Sequence, residues 1–299
     1  MGDDGRPARH RILGIGEVLW DLFPEGPRLG GAPFNVVANL RRLGHATAFV
    51  SAVGDDDLGR AALAAADELG VEATFISVAL DLPTGVVDVA PDPVAGHRFV
   101  IRSPAAYESI GDGDALVASV AGWRPDALVF GTLAQRFAGA RTLTRRIATG
   151  ISPRHRLYDV NLRDGTWSEG LVLDLLGLAT VVKTNEDEAR VLAGFLGCEA
   201  TPAALGEALG ERFGAEAVCI TRGADGAAMW ADGQLTDVGG VEVEVVDTVG
   251  AGDAFAAGLL HGMLVGQAPP DALAFANRLG ALVASRPGAL PPWTAAETA

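Results

Sequence analysis

Lysine is almost missing from this chain of 299 residues: Lys183 is the only one. It sits in a Val-Val-Lys-Thr context, so no Gly-Lys-Ser/Thr phosphate loop exists anywhere, and any nucleotide site must be built in another way. Cysteine is nearly as scarce. Cys198 and Cys219 lack CxxC spacing, and the five histidines (10, 45, 97, 155 and 261) are scattered without a zinc-ligand pattern, so buried or solvated roles are expected for all of them. Basic residues number 23 against 38 acidic ones, a net charge of −15, which argues against a nucleic-acid partner. No apolar run approaches a membrane span, and the start, Met1 to Arg11, is charged with no signal-peptide core after it, so no membrane partner and cytoplasmic residence are the expectations. No internal repeat and no interdomain linker breaks the chain, and residues 1–299 are expected to form a single domain long enough to bury a sizeable core.

What is present is dominated by one stretch, Val245-Val246-Asp247-Thr248-Val249-Gly250-Ala251-Gly252-Asp253-Ala254-Phe255-Ala256-Ala257-Gly258. A β-branched run halts at an acid and a threonine, a Gly-Ala-Gly turn follows, and a small-residue helix then carries Asp253 in its first turn. This reads as a strand feeding the start of an anion-binding helix, where free amides and the helix dipole favour a phosphate. A carboxylate beside such a site is placed to take a proton from an incoming hydroxyl, although an acid in a first turn also simply complements the dipole. Gly14-Ile15-Gly16 is a lone GxG. Leu19 and Asp21 stand where a dinucleotide-binding helix should run, so that reading is rejected.

Elsewhere the pattern alternates. Ile12–Ile15 is expected as a strand leading into a loop, Gly16 to Pro24, that carries Asp21 among large apolar groups. Leu29-Gly30-Gly31-Ala32-Pro33-Phe34-Asn35 opens a helix ended by Gly44, with Asn35 readable as its N-cap. Phe49–Val53 is a strand, and Asp57 reads as the capping acid of the alanine-rich helix that follows. From Gly85 to Ala90 and His97 to Arg102 two short strands are joined through Pro91–Gly96 with no helix between, a hairpin inserted like a lid. Tyr107, just after it, is open to stacking on a substrate or to ordinary packing. Strand-helix alternation then resumes through Ala127–Gly131, Leu157–Asn161, Thr180–Lys183 and Val218–Thr221, which argues a parallel sheet with ligands at the strand C-terminal ends. Asn185-x-x-Glu188 is a capping box by its spacing, and a hairpin turn accounts for Ala224-Asp225-Gly226. The proline-rich tail from Pro287 reads as peripheral.

Asp-Thr-x-Gly-Ala-Gly-Asp-x-Phe-x-x-Gly resembles the C-terminal signature of the ribokinase-like (PfkB) sugar kinases, and Gly30-Gly31-Ala32-Pro33-Phe34-Asn35 resembles the N-terminal one. The resemblance spans Gly14 to about Pro287 and implies a three-layer α/β/α core with a small β-sheet lid, its strands lying within residues 12–35 and 84–103. It implies an ATP-dependent kinase acting on a small-molecule sugar. Asp253 would be the base, and the amides of Gly250, Ala251 and Gly252 the anion hole. Asp21, Gly31 and Asn35 would hold the sugar, with Asn161, Arg163, Tyr107 and Arg102 near it. Lys183, Asn185, Thr221, Gly223, Gly226 and Asn277 would face the nucleotide, Glu188 would act on Mg2+ through water, and K+ would sit beside Asp247 and Thr248. Lid-to-lid homodimers occur in the family.

The Gly-Gly-Ala-Pro-x-Asn, Asp-x-Asn-Leu-Arg and Gly-Glu-x-Leu-Trp-Asp segments look most like fructokinase-type members, which implies conversion of fructose to fructose 6-phosphate. Tyr107-Glu108 departs from the Trp-Asp common there. A 2-keto-3-deoxygluconate kinase is the alternative, because Arg163 or Arg102 would meet a carboxylate, and other sugar or nucleoside kinases of the family follow. A non-catalytic sugar-binding regulator is the remote rival. The intact Asp253, Gly-Ala-Gly and Asn-x-x-Glu argue against it.

Overall fold

The computed structural model describes residues 10–92 and 96–298. The expected charged start therefore lies largely outside the described residues, as do residues 93–95 in the turn of the expected hairpin.

Strand β1 (Arg11–Ile15) opens the fold. Its side chains alternate between two apolar layers, with Ile12 in one and Leu13 and Ile15 in the other. Gly14 is a packing glycine, since a Cβ there would come within 2.5 Å of the Phe49 ring and 2.6 Å of Val37. Strands β2 (Leu19–Phe23) and β3 (Gly26–Gly30) form an antiparallel pair, with Asp21 directly opposite Arg28. Asp21 thus stands on a strand rather than in the expected loop. The β2 sequence Leu-Trp-Asp-Leu-Phe alternates only weakly in polarity, and that hid the strand.

Helix α1 (Ala32–Arg42) starts four residues earlier than Asn35 would require of a cap. Gly31, at φ 118°, is the N-cap, Pro33 occupies the first turn, and Asn35 lies inside the helix. Strand β4 (Ala46–Gly54) leads to α2 (Asp57–Glu68). Its cap is Asp56, not Asp57: the Asp56 carboxylate accepts from the Gly59 N–H and from the Thr84 N–H and hydroxyl. Strand β5 (Ile76–Ala79) is followed by the expected hairpin, β6 (Gly85–Asp92) and β7 (Gly96–Ile101).

The remaining chain alternates as expected: α3 (Asp114–Trp123), β8 (Ala127–Phe130), α4 (Ala138–Arg146), β9 (His155–Asp159), α5 (Glu169–Leu176), β10 (Val181–Asn185), α6 (Glu186–Leu196), α7 (Pro202–Phe213) and β11 (Ala217–Thr221). A hairpin then adds β12 (Ala227–Ala231) and β13 (Gln234–Val238), and α8 (Ala251–Leu264) and α9 (Pro269–Ala284) close the fold. No strand forms at Val245–Val246. Both valines are exposed, and the amides of Val246 and Asp247 instead donate to the Ala284 carbonyl at the end of α9.

The large sheet runs β13-β12-β11-β10-β9-β8-β1-β4-β5, parallel except for its last hairpin. One of its faces is covered by α1, α2, α8 and α9, whose Phe34, Val37, Leu259 and Leu273 meet Ile12, Phe49 and Val129. The other carries α3 to α7, which bury Val120, Leu143, Leu175, Leu192 and Leu209 against Leu13, Val50 and Phe130. This is the expected three-layer α/β/α arrangement. A second sheet, β3-β2-β6-β7, is the expected lid.

The tail is not peripheral. Trp293 is buried and donates from its indole N–H to Asn39 at 3.0 Å, while Arg42 donates to the carbonyls of Leu290 and Pro291. Three of the five histidines come together: His45 and His261 are joined ring to ring at 2.9 Å, and the His10 ring is tilted against His45 at 5.7 Å. No helix among the described residues is long and apolar enough to cross a membrane.

Candidate active site

A cleft of about 1270 Å³ lies between the lid and the C-terminal ends of the parallel strands. The lid supplies Leu19, Asp21, Val87 and Phe99, and the strand ends supply Glu17, Asn161, Lys183, Asn185 and Thr221. Parallel strands leave their C-terminal ends open for loops, and it is there that polar groups converge.

At its centre stands Asp253 in the first turn of α8, accepting a hydrogen bond from Asn35 Nδ2 at 2.8 Å. Two helix starts, α1 and α8, therefore face each other across this one bond. Burial raises the Asp253 pKa to about 6, and the negative charge of Asp159 adds to the rise; Asn35, Lys183 and Arg163 counter it. A carboxylate poised there is ionised at neutral pH yet still basic enough to accept a proton.

Gly250 caps α8 in the left-handed region at φ 79°, and a Cβ on it would lie 2.5 Å from the Ala289 backbone. Among the described residues the amides of Gly250, Gly252 and Asp253 form no hydrogen bond, so they are left for an anion. The Ala251 amide is different. It turns back to the Thr248 carbonyl at 3.2 Å, and Ala251 does not line the cleft.

Below the helix start lies a buried ion pair, Lys183 Nζ to Asp159 Oδ1 at 3.0 Å, formed across neighbouring strands β10 and β9. Burial works to lower the Lys183 pKa, but Asp159, Glu188 and Asp253 together hold it above the ordinary value, so the ammonium stays charged. A Cβ on Gly252 would lie 3.2 Å from its Nζ, which ties the lysine to the Gly-Ala-Gly turn. Glu188 closes the capping box with Asn185 and also accepts from the Leu162 N–H at 2.9 Å. Glu188 thus forms the capping box that the spacing of Asn185-x-x-Glu188 implied, and it also lines the cleft.

Asp21, Gly31, Asn35, Asn161 and Arg163 all line the cleft, as do Thr221, Gly223 and Thr248. Asp21 is raised to about 6, chiefly by burial, against the lowering pull of Arg163. Arg163 sits with its Cζ 5.8 Å from the centre of the Phe99 ring, joining the core to the lid.

Besides Ala251 and Asp247, four further expected residues fall outside the cleft. Tyr107 is only 1% exposed and packs edge-on against Phe137 in the core, so it has no face left for a sugar. Arg102 is held on the outside by both oxygens of Asp88. Gly226, at φ 86°, serves the turn into β12. Asn277 donates to the carbonyls of Val238 and Gly239, pinning the segment after β13.

Two residues went unnoticed in the sequence. Glu17 is 4% exposed and lines the cleft with its Oε2 unpartnered, and burial pushes its pKa up to about 7. The signal was a second acid in an apolar stretch, only four residues ahead of Asp21. Arg136 also lines the cleft, from a short 3₁₀ turn after β8 that carries no sequence motif.

The family model for pfkB family carbohydrate kinases matches residues 26–296. The chain belongs to this family. It is a phosphotransferase with an alcohol group as acceptor, a sugar kinase, and its fold is the ribokinase-like one that the two signatures led us to expect. Among curated proteins the kinase is 29% identical over 303 residues to the fructokinase of Escherichia coli, covering 94% of this chain and 95% of the relative. It is 28% identical to the aminoimidazole riboside kinase of Salmonella typhimurium, covering 95% and 92%. Among solved structures, the fructokinase of Xylella fastidiosa with bound ATP superposes with a TM-score of 0.82 at 25% identity, covering 95% of this chain and 94% of that one.

Proposed function

We propose that this kinase transfers the γ-phosphoryl group of ATP to a hydroxyl of a small neutral sugar, with fructose to fructose 6-phosphate as the reaction. The observation that carries the reading is Asp253, held at 2.8 Å by Asn35, beside open amides at the start of α8 and in one cleft with Asp21. Asp253 takes the hydroxyl proton as the oxygen attacks. The amides of Gly250 and Gly252 and the charge of Lys183 stabilise the phosphoryl group in transit, which is positioning and electrostatics rather than covalent chemistry. Asp21 and Glu17 accept hydrogen bonds from sugar hydroxyls, and Asn35, Asn161 and Gly31 complete the grip. Both sheets wall the same cleft, which supports a single catalytic domain.

Glu188 suits magnesium. Each of its oxygens accepts one backbone N–H and retains a lone pair toward the cleft for a metal-bound water. When bound there with the nucleotide, the ion would neutralise phosphate charge. The expected potassium position beside Asp247 and Thr248 does not fit in the same way, because Asp247 Oδ2 already accepts two donors and one of them is the positively charged Arg28 guanidinium.

The 2-keto-3-deoxygluconate reading keeps one supporting observation: Arg136 and Arg163 both line the cleft and would meet a carboxylate. Arg102, the other arginine considered for it, points away. The deciding experiment is sugar-dependent ADP release with Mg-ATP across fructose, 2-keto-3-deoxygluconate, ribose, aminoimidazole riboside and glucose, run with Asp253→Asn alongside. Fructose turnover lost by roughly 10²–10⁴-fold in the variant is the expected result. A variant with near-normal turnover removes Asp253 from the base role, and turnover of another sugar alone replaces fructose.

A further inference from the structure

Asp247 opens the loop that leads into α8, and both oxygens of its carboxylate have donors, Oδ2 two of them. Oδ1 accepts the Val249 N–H at 3.0 Å, and Oδ2 accepts the Gly288 N–H at 2.9 Å and the Arg28 guanidinium at 3.0 Å. Two neighbouring carbonyls are engaged as well. Ala284 accepts from the amides of Val246 and Asp247, and Thr248 accepts from Ala251.

Arg28 comes from the lid. It lies on β3 directly opposite Asp21, its Cζ stands 4.3 Å above the centre of the Phe23 ring, and its chain passes Gly288 so closely that a Cβ there would be 3.6 Å from Arg28 Cδ. The guanidinium is thus fixed by an aromatic face on one side and by a carboxylate on the other. It lies between the loop before α8 and the loop after α9. A small cation bound at Asp247 Oδ2 would compete with the Arg28 guanidinium for that oxygen.

We propose that Arg28 is the built-in cation of the loop that sets the anion hole, so that this chain works without the monovalent ion its signature otherwise implies. The proposal rests on the kinase reading above. The charge that a potassium ion would bring to Asp247 is delivered by a lid strand whose next-door partner is the sugar-binding Asp21. Closing the lid and aligning Gly250 and Gly252 become one event, and Arg28 is a positioning residue that touches neither substrate nor phosphate.

The test combines turnover and thermal unfolding of the wild-type chain, Arg28→Ala and Arg28→Lys, each in potassium, sodium and tetramethylammonium salts. Wild type should turn over equally in all three, and its melting temperature should not respond selectively to potassium. Arg28→Ala should lose about tenfold to a hundredfold in kcat without potassium, the factor carried by one hydrogen bond to a charged group, and should recover part of it with potassium or with low guanidinium. It should also gain a potassium-selective rise in melting temperature, while Arg28→Lys keeps most of the wild-type behaviour.

Severalfold potassium activation of the wild type, or potassium-selective stabilisation of it, overturns the proposal. So does an Arg28→Ala variant that matches wild type in tetramethylammonium, or one that no cation stabilises. Silence of wild type across the sugar panel would instead count against the kinase reading, and the melting data would still decide whether Arg28 fills a cation site. Should Arg28→Ala not fold, Arg28→Gln carries the same comparisons.

Discussion

The base role proposed for Asp253 requires it to be ionised, and Asp253 reaches that state late. With its pKa raised to about 6 by burial and by Asp159, the ionised fraction grows as pH rises through about 6. Turnover of saturating sugar should therefore fall off below about pH 6 and level above it, the acidic limb of a kcat–pH profile; a limb unmoved from the ordinary aspartate range would show that the cleft does not perturb this group. At this scale the sequence was legible wherever a residue belonged to a signature. Asp253, Asn35, Asp21, Lys183 and Glu188 were all named from it, and all line one cleft. Glu17 and Arg136 were not, because a single acid in an apolar stretch and an arginine on a short turn carry no local pattern. Tyr107 misled for the opposite reason. An aromatic beside a lid is equally suited to packing, and only the tertiary position of Phe137 settles which role it takes.

Helix α8 shows how an element can be correct while its entrance is not. Its start, its glycine turn and its buried small-residue face were all readable from Gly250 onward. The β-branched residues before it suggested a strand, but no neighbouring strand offers Val245 and Val246 a ladder; their segment is instead hung from Ala284. β-propensity without a partner does not make a strand. The helix start itself depends on Gly250, whose positive φ and contact with Ala289 leave no room for a side chain. Gly250→Ala should cost at least about 1 kcal/mol in unfolding free energy from the left-handed backbone alone, with more from the collision. Turnover should drop more than stability because the anion hole shifts; denaturant unfolding and kcat measured together will separate the two, and an unaffected kcat would mean the turn is not part of the hole. Pattern alone gave the lid its β6–β7 hairpin; β2 and β3 fall within residues 12–35, which only the family resemblance assigned to the lid, because β2 alternates too weakly in polarity and β3 is rich in glycine and proline.

Over the whole molecule, the tail is the part that composition described worst. Proline-rich segments usually lie at the surface, yet Trp293 crosses back to Asn39, one turn along α1 from the asparagine that holds the base, and Ala289 buttresses Gly250. The described part of the tail is thereby packed against the helices whose starts flank the cleft. Trp293→Ala should destabilise the fold by about 3 kcal/mol or more, the usual cost of emptying a buried aromatic site. Urea unfolding checks this, and a loss under 1 kcal/mol would return the tail to the periphery. Fold class, by contrast, was readable end to end, since alternation of strand and helix leaves few ways to assemble a parallel sheet.

The solitary lysine has a practical consequence. Amine-directed reagents such as succinimidyl esters find one side-chain target in the entire chain, and that target is 7% exposed and paired with Asp159 beside the glycine turn. Acylation of the folded protein should accordingly be confined to a terminal amine, leaving a uniformly tethered, single-point-labelled population, and reaction at Lys183 would report directly on opening of the cleft.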